Sequence, residues 1–223
     1  MARADLAALR AQQLALAARV IREDALPTAP RFIGGVDVSC SRFDPTQRVY
    51  AAIVVLEWPG LAVVDQAGVA AAPDLPYLTG FLGFREVPAA MEAFARLRVK
   101  PELLMVDGQG IAHPRRFGIA SHLGVMLDLP AIGVGKSRLV GVPEAPLAEE
   151  AGSEARLRDR GEEVGALLRT RARANPLWIS IGHRVSLPTA LRWVRATGTG
   201  RRLPEPTRLA HEAAGMVRRA AGG

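Results

Sequence analysis

Apolar residues near the N-terminus recur at helical spacing. Leu6, Leu9, Leu16 and Val20 share one stripe, interrupted by Gln13, which predicts a helix over residues 3–22 that Pro27 and Pro30 then close off. The period then changes. Phe32–Ser39, Arg48–Leu56 and Leu61–Val69 read as strands, the last two joined across Glu57-Trp58-Pro59-Gly60 as a hairpin. Pro88 suits the first turn of a helix whose apolar face is Val87, Met91, Phe94 and Leu97. Leu103–Val106 is a short apolar strand, followed by a helix through Ile119, Leu123, Met126 and Leu127 and a further strand at Ala131–Val134. Two short strands separated by a helix imply a parallel crossover. The Glu-, Arg- and Ala-rich stretch Gly141–Ala174 is expected as exposed helix or loop. A strand returns at Leu177–Ile181, then a helix around Ala190–Val194 and a last one from about Thr207 to Arg218. The elements together predict an α/β fold in one domain over residues 1–223. Its mixed sheet combines an antiparallel three-strand meander with parallel strands, and helices lie on both faces.

Composition narrows the function classes. Hydrophobic residues make up 49% and charged residues 23%, ordinary for a globular protein. No apolar run is long enough to cross a bilayer, and residues 1–24 carry acids and glutamines among their leucines, unlike a signal peptide. A single cysteine, Cys40, excludes an intramolecular disulfide and a cysteine-built zinc site. The expectation is a cytoplasmic monomer with no membrane partner. The formal charge of +7 favours a polyanionic partner, although a solvated basic surface would carry it as well. Of the 29 basic side chains only Lys100 and Lys136 are lysine, which draws attention to both.

Three carboxylates stand in unusual places. Asp37 interrupts the apolar strand Gly34-Gly35-Val36-Asp37-Val38-Ser39, where burial is costly unless the charge is paired or binds a cation. Asp107 ends the strand Leu103-Leu104-Met105-Val106, at the strand terminus where ligands gather in α/β sheets. Glu86 precedes the Pro88 helix. Each has a plain structural reading too: an aspartate met by an arginine or a turn, a glutamate at a helix dipole. If the two strands are neighbours, Asp37 and Asp107 converge and Glu86 reaches them from its helix start. Three hard oxygen ligands then fit Mg²⁺ or Mn²⁺, and carboxylates beside a basic surface point to metal-assisted phosphodiester hydrolysis. Gly133-Val134-Gly135-Lys136-Ser137 is not a P-loop, because Pro130 occupies the place of its first glycine. It is a strand ending in a loop that presents Lys136 to a phosphate.

Several ordered blocks resemble the endonuclease V family. They are Gly35–Ser39, Pro76-Tyr77-Leu78-Thr79-Gly80, Phe84-Arg85-Glu86, the long Val106–Arg115 block, Gly118–His122, Gly133–Ser137, Arg169-Thr170-Arg171 and Gly182–Ser186. The order of elements is similar to the ribonuclease-H-like fold. The resemblance implies an enzyme that recognises deoxyinosine in DNA, or inosine in RNA. Such an enzyme hydrolyses the second phosphodiester bond on the 3′ side of the lesion, leaving 3′-hydroxyl and 5′-phosphate ends. It makes Asp37, Glu86 and Asp107 the ligands of Mg²⁺ or Mn²⁺, places His211 near the metal and turns Lys136 to the scissile phosphate. Tyr77 becomes a wedge filling the gap left by a flipped base. Gly80, Leu82, Gly108 and Leu139 become the pocket for that base. Leu78 and Thr79 stand where the family's wedge motif commonly has isoleucine and a second proline, so this loop is less constrained in φ.

Overall fold

The first three strands, β1 (Phe32–Cys40), β2 (Val49–Glu57) and β3 (Ala62–Ala71), form the expected antiparallel meander. In this computed structural model the described residues are 5–27, 29–40 and 47–222. Helix α1 (Leu6–Ala17) precedes the meander, with the Asp5 carboxylate accepting from the Ala7 and Ala8 amides as its N-cap. Helix α2 (Leu82–Arg96) carries the chain to β4 (Leu103–Val106), and α3 (Ile119–Leu127) carries it on to β5 (Ala131–Gly135). Both of these strands run parallel in the sheet beside β1. After β6 (Val142–Pro143), β7 (Glu154–Asp159) and β8 (Glu162–Leu168), β9 (Leu177–His183) returns antiparallel to β5. Helices α4 (Leu187–Ala196) and α5 (Glu205–Ala220) end the chain. The described strands form one nine-stranded sheet in the order β3-β2-β1-β4-β5-β9-β8-β7-β6.

Strand alternation sorts the helices onto two faces. Ile33 pairs with both Leu56 and Leu103, so these three side chains leave the sheet on the same side. On that side Ile33 and Leu103 pack with Leu191 and Val194 of α4, and Leu56 with Ala213 and Ala214 of α5. The intervening residues Val36, Ile53, Val55, Leu104 and Val106 pack against α2 and α3 on the other side. Gly35 lets α5 lie directly on β1: a Cβ there would sit 1.8 Å from the Pro206 carbonyl oxygen.

Four expectations need correction. The Gly141–Ala174 stretch is not helix or loop but contains the β6–β7–β8 ribbon. Ala155, Leu157 and Val164 point inward there, while the arginines and glutamates between them face out and blur the two-residue period. Helix α2 begins at Leu82, so Pro88 lies inside it and Glu86 sits within the helix rather than ahead of it. Packing outweighs the proline penalty, because Arg85, Val87, Ala89, Ala90 and Ala93 are all buried. Helix α1 is shorter than the expected span, whose residues 3 and 4 lie outside the described ones. Its buried residue is Gln13, while Leu6 and Leu14 are exposed.

Candidate functional site

Asp37 follows Gly35 by two positions on β1, so alternation turns its carboxylate to the α5 side of the sheet. The Asp107 amide donates to the Val36 carbonyl at 2.8 Å, continuing the β1–β4 ladder one residue past β4. The aspartates are thereby neighbours, and both are nearly enclosed, at 9% and 10% side-chain exposure. His211, in the second turn of α5, closes the group. Its Nδ1 lies 2.8 Å from Asp37 Oδ2. One ligand atom from each of Asp37, Asp107 and His211 falls within 4.8 Å of the others, a spacing that a single cation can bridge.

One lysine offsets part of the negative charge here. The Lys136 ammonium, just beyond β5, pairs with Asp107 Oδ2 and stands 3.4 Å from His211 Nδ1. Burial, and the charge of Asp37 beside it, hold the Asp107 carboxyl above the usual carboxylate range, against the pull of Lys136. Glu86 lies at the edge of this group and outside the three-atom cluster. The Cys40 thiol donates to its Oε1 at 3.5 Å. Burial first, then Asp37 and Asp107, push the Glu86 carboxyl up to about 7, and burial together with Glu86 pushes the Cys40 thiol up to about 11. Two nearly enclosed aspartates and an imidazole, with no thiolate among them, form a donor set suited to a hard divalent ion.

The ten candidate site residues line one cleft of about 510 Å³, whereas Lys100 lies elsewhere, on the Phe94 and Ala95 carbonyls. Asp37, Glu86, Asp107, Lys136 and His211 form one part of the cleft wall, and Tyr77, Gly80, Leu82, Gly108 and Leu139 belong to the rest of it. Tyr77 and Leu139 project from it, at 44% and 46% exposure. Residues the sequence reading passed over hold these in place. Gln13 Nε2 donates to the carbonyls of Gly80 and Phe117 at 3.0 and 3.2 Å, and its Oε1 accepts from Arg115 Nε. Arg115 also donates to the Gly80 carbonyl at 2.6 Å and lies 4.3 Å over the Phe81 ring. Gly80 has φ of +81°, which a side chain would strain, and its missing Cβ leaves room for Arg115. The one signal for Gln13 was that it broke an otherwise apolar stripe. The Lys136 loop is tied down by Gln109 Nε2 to the Ser137 carbonyl at 2.9 Å and by Arg202 to the Lys136 carbonyl at 2.8 Å.

Comparison with known proteins gives a consistent result. The family described as Endonuclease V matches residues 14–212. The Endonuclease V of Gloeobacter violaceus is 52% identical over 194 residues, spanning 87% of this chain and 79% of that protein. The crystal structure of Endonuclease V from Streptomyces avermitilis superposes with a TM-score of 0.92 at 38% identity, covering 99% of this chain and 96% of the other. That of Ciona intestinalis Endonuclease V, in complex with a 23mer DNA containing an inosine followed by a ribo-adenosine, superposes with a TM-score of 0.83. It is 26% identical and covers 98% of this chain and 100% of the other.

Proposed function

The chain belongs to the endonuclease V family, and from that premise we propose that it nicks DNA at the second phosphodiester bond 3′ to a deoxyinosine. Family membership makes it a nuclease, and so a hydrolase. The observation that carries the finer reading is the convergence of Asp37, Asp107 and His211 on the floor of a cleft whose rim bears Tyr77. The inosine-containing DNA in the Ciona complex is the ligand class assigned to that cleft. The position of the cut is carried over from the family resemblance.

In this reading Asp37 and Asp107 hold Mg²⁺ or Mn²⁺, with His211 completing the set and Glu86 beside it. The ion, when bound, supplies Lewis-acid stabilisation of the charge that develops on the phosphate. Lys136 aims its ammonium at the same phosphate, in a position fixed by Gln109 and Arg202. An oxygen from water joins phosphorus, the bond to O3′ breaks, and that oxygen takes a proton to become the 3′-hydroxyl while the phosphate stays on the 5′ end. Gly80, Leu82, Gly108 and Leu139 receive the flipped base, and Tyr77 takes its place in the stack. The anchoring of Gly80 by Gln13 and Arg115 fixes the edge of that pocket, which offsets the freedom introduced by Leu78 and Thr79.

The test is cleavage by the purified protein of matched DNA and RNA strands carrying inosine or adenine at one site. It is run with Mg²⁺, with Mn²⁺ and with chelator. The expected result is cation-dependent nicking of the inosine strand alone, with one intact phosphodiester between lesion and cut. Equal cutting of the adenine strand, or cutting in chelator, would sink the reading. The ratio of DNA to RNA rates then assigns the natural strand.

A further inference from the structure

A second groove, of about 770 Å³, leaves the cleft at its metal end. Ser39 and His211 line both, and from them the groove follows α5 past Gly215 and Met216 to Arg218 and Arg219. His211, Gly215, Arg218 and Arg219 are spaced i, i+4, i+7 and i+8, so they form one stripe of the helix. We propose that this groove binds the strand continuing 3′ of the cut, with Arg218 and Arg219 on its phosphates.

Direction follows from the order of parts, and here the inference rests on the function proposed above. Tyr77, Gly80, Leu82 and Leu139 line the cleft and not the groove, whereas His211 lines both. A strand with its lesion base among the first set and its scissile phosphate at the carboxylates must therefore leave past His211 with its 3′ portion. The charge fits as well. Arg218 and Arg219 make no ion pair with any described residue, while Glu212, the acid of the groove, is held by Arg208 through an ion pair at 2.5 Å that Arg208 shares with Glu205, so the two arginines leave the groove net positive. Two full positive charges exceed the roughly −0.5 charge of the helix C-terminus on which they sit. Met216, 51% exposed, offers sugars and bases an apolar surface between them and the site. Seven residues of helix from His211 to Arg218 span about 10 Å. With the duplex axis running alongside α5, at about 3.4 Å of rise per nucleotide, this places the arginines roughly three nucleotides beyond the cut.

The experiment couples protein to substrate length. Inosine duplexes with a 3′ arm of about ten nucleotides past the cut, or of one, are titrated with protein in Ca²⁺ at several salt concentrations. A matched pair varies the 5′ arm instead. The wild type should bind the long 3′ arm about tenfold more tightly than the short one. R218A/R219A should lose this advantage, with a salt slope on the long arm lower by about two, one for each phosphate contact. R218K/R219K, which keeps both charges, should restore most of it. An equal loss on both 3′ arms, a loss that tracks the 5′ arm, or no loss overturns the groove assignment. If the wild type nicks 3′ to inosine while any of these holds, the groove alone is wrong. If it does not nick there, the proposed function falls and the groove assignment with it.

Discussion

Asp107 sits in a conflict that only a cation resolves well. Burial and Asp37 both disfavour its charged form, and Lys136 relieves this in part. Such a residue contributes to function more than to stability. Asp107→Asn should therefore leave the thermal midpoint without metal unchanged or higher, while Mn²⁺ affinity by calorimetry falls. Cleavage should fall by more than the roughly 10–100-fold that loss of a metal ligand's supporting partner costs. Normal Mn²⁺ binding by this variant would remove Asp107 from the site. Lys136 makes a different prediction, because a charge aimed at the reacting phosphate acts mainly on the transition state. Lys136→Ala should slow single-turnover cleavage by about 10²–10³, the cost of removing one transition-state donor. Its affinity for inosine DNA in Ca²⁺ should change by less than about tenfold, which is 1.4 kcal/mol. A normal single-turnover rate with weak binding would reduce Lys136 to a phosphate contact on the surface.

At the scale of elements, the proposed recognition chemistry belongs to the loop between β3 and α2. Exposure of 44% leaves the Tyr77 ring open to solvent, and Gly80 three residues on is held by Gln13 and Arg115. If the ring replaces stacking lost by the flipped base, a contact of roughly 1–3 kcal/mol is at stake. Tyr77→Ala should then bind inosine in duplex DNA roughly tenfold to a hundredfold more weakly. The loss should be smaller on single strands, and Tyr77→Phe should match the wild type. Equal losses on duplex and single strand, together with a lowered melting temperature, would make Tyr77 a packing residue instead. How much of this was legible depended on the element. The meander showed because β2 is a continuous apolar run joined to β3 across the short Glu57-Trp58-Pro59-Gly60 connection. The β7–β8 hairpin did not, since its outward positions are dense in Arg and Glu. Its turn, Arg160-Gly161 with φ of 57° and 79°, also places arginine where asparagine usually marks such a bend. Asp37 and Asp107 stood out as charges in apolar strands. The contact of His211 with Asp37 spans 174 residues, and no local pattern encodes it. Nor does local pattern show that α2 starts six residues before Pro88 and places Glu86 one turn inside the helix.

Across the whole molecule, acid should act in opposite senses on the site and on the packing beneath it. The site lies where β4 and β5 end beside the middle of β1, and α2 and α3 support it from the other face of the sheet. His122 of α3 fills the contact between those helices. Its ring lies 5.0 Å from Phe84 and 4.9 Å from Phe117, centroid to centroid. Burial alone lowers its pKa from 6.5 to about 4, and His113 is lowered to about 4 by burial and then by Arg115. A histidine with a depressed folded pKa takes its proton more readily in the unfolded chain. Between pH 6.5 and 4 the unfolded state therefore binds more protons, and stability is lost as the pH falls through that window. Glu86 runs the other way: its folded pKa near 7 lies above the ordinary 4.5, so acidification from pH 7 favours the folded form. The total pH profile mixes the two, and a variant that removes only one of them separates the signs. His122→Phe keeps a ring between Phe84 and Phe117 and cannot titrate. Its stability relative to wild type, from urea unfolding, should be constant above pH 7.5 and should rise as the pH falls from 6.5 to 4. The gain should approach about 3 kcal/mol, from a shift of about two and a half pKa units at 1.36 kcal/mol each. A difference that stays flat across that window would mean that His122 titrates alike in the folded and unfolded chain, and that the α2–α3 contact is not the dry interface its burial implies.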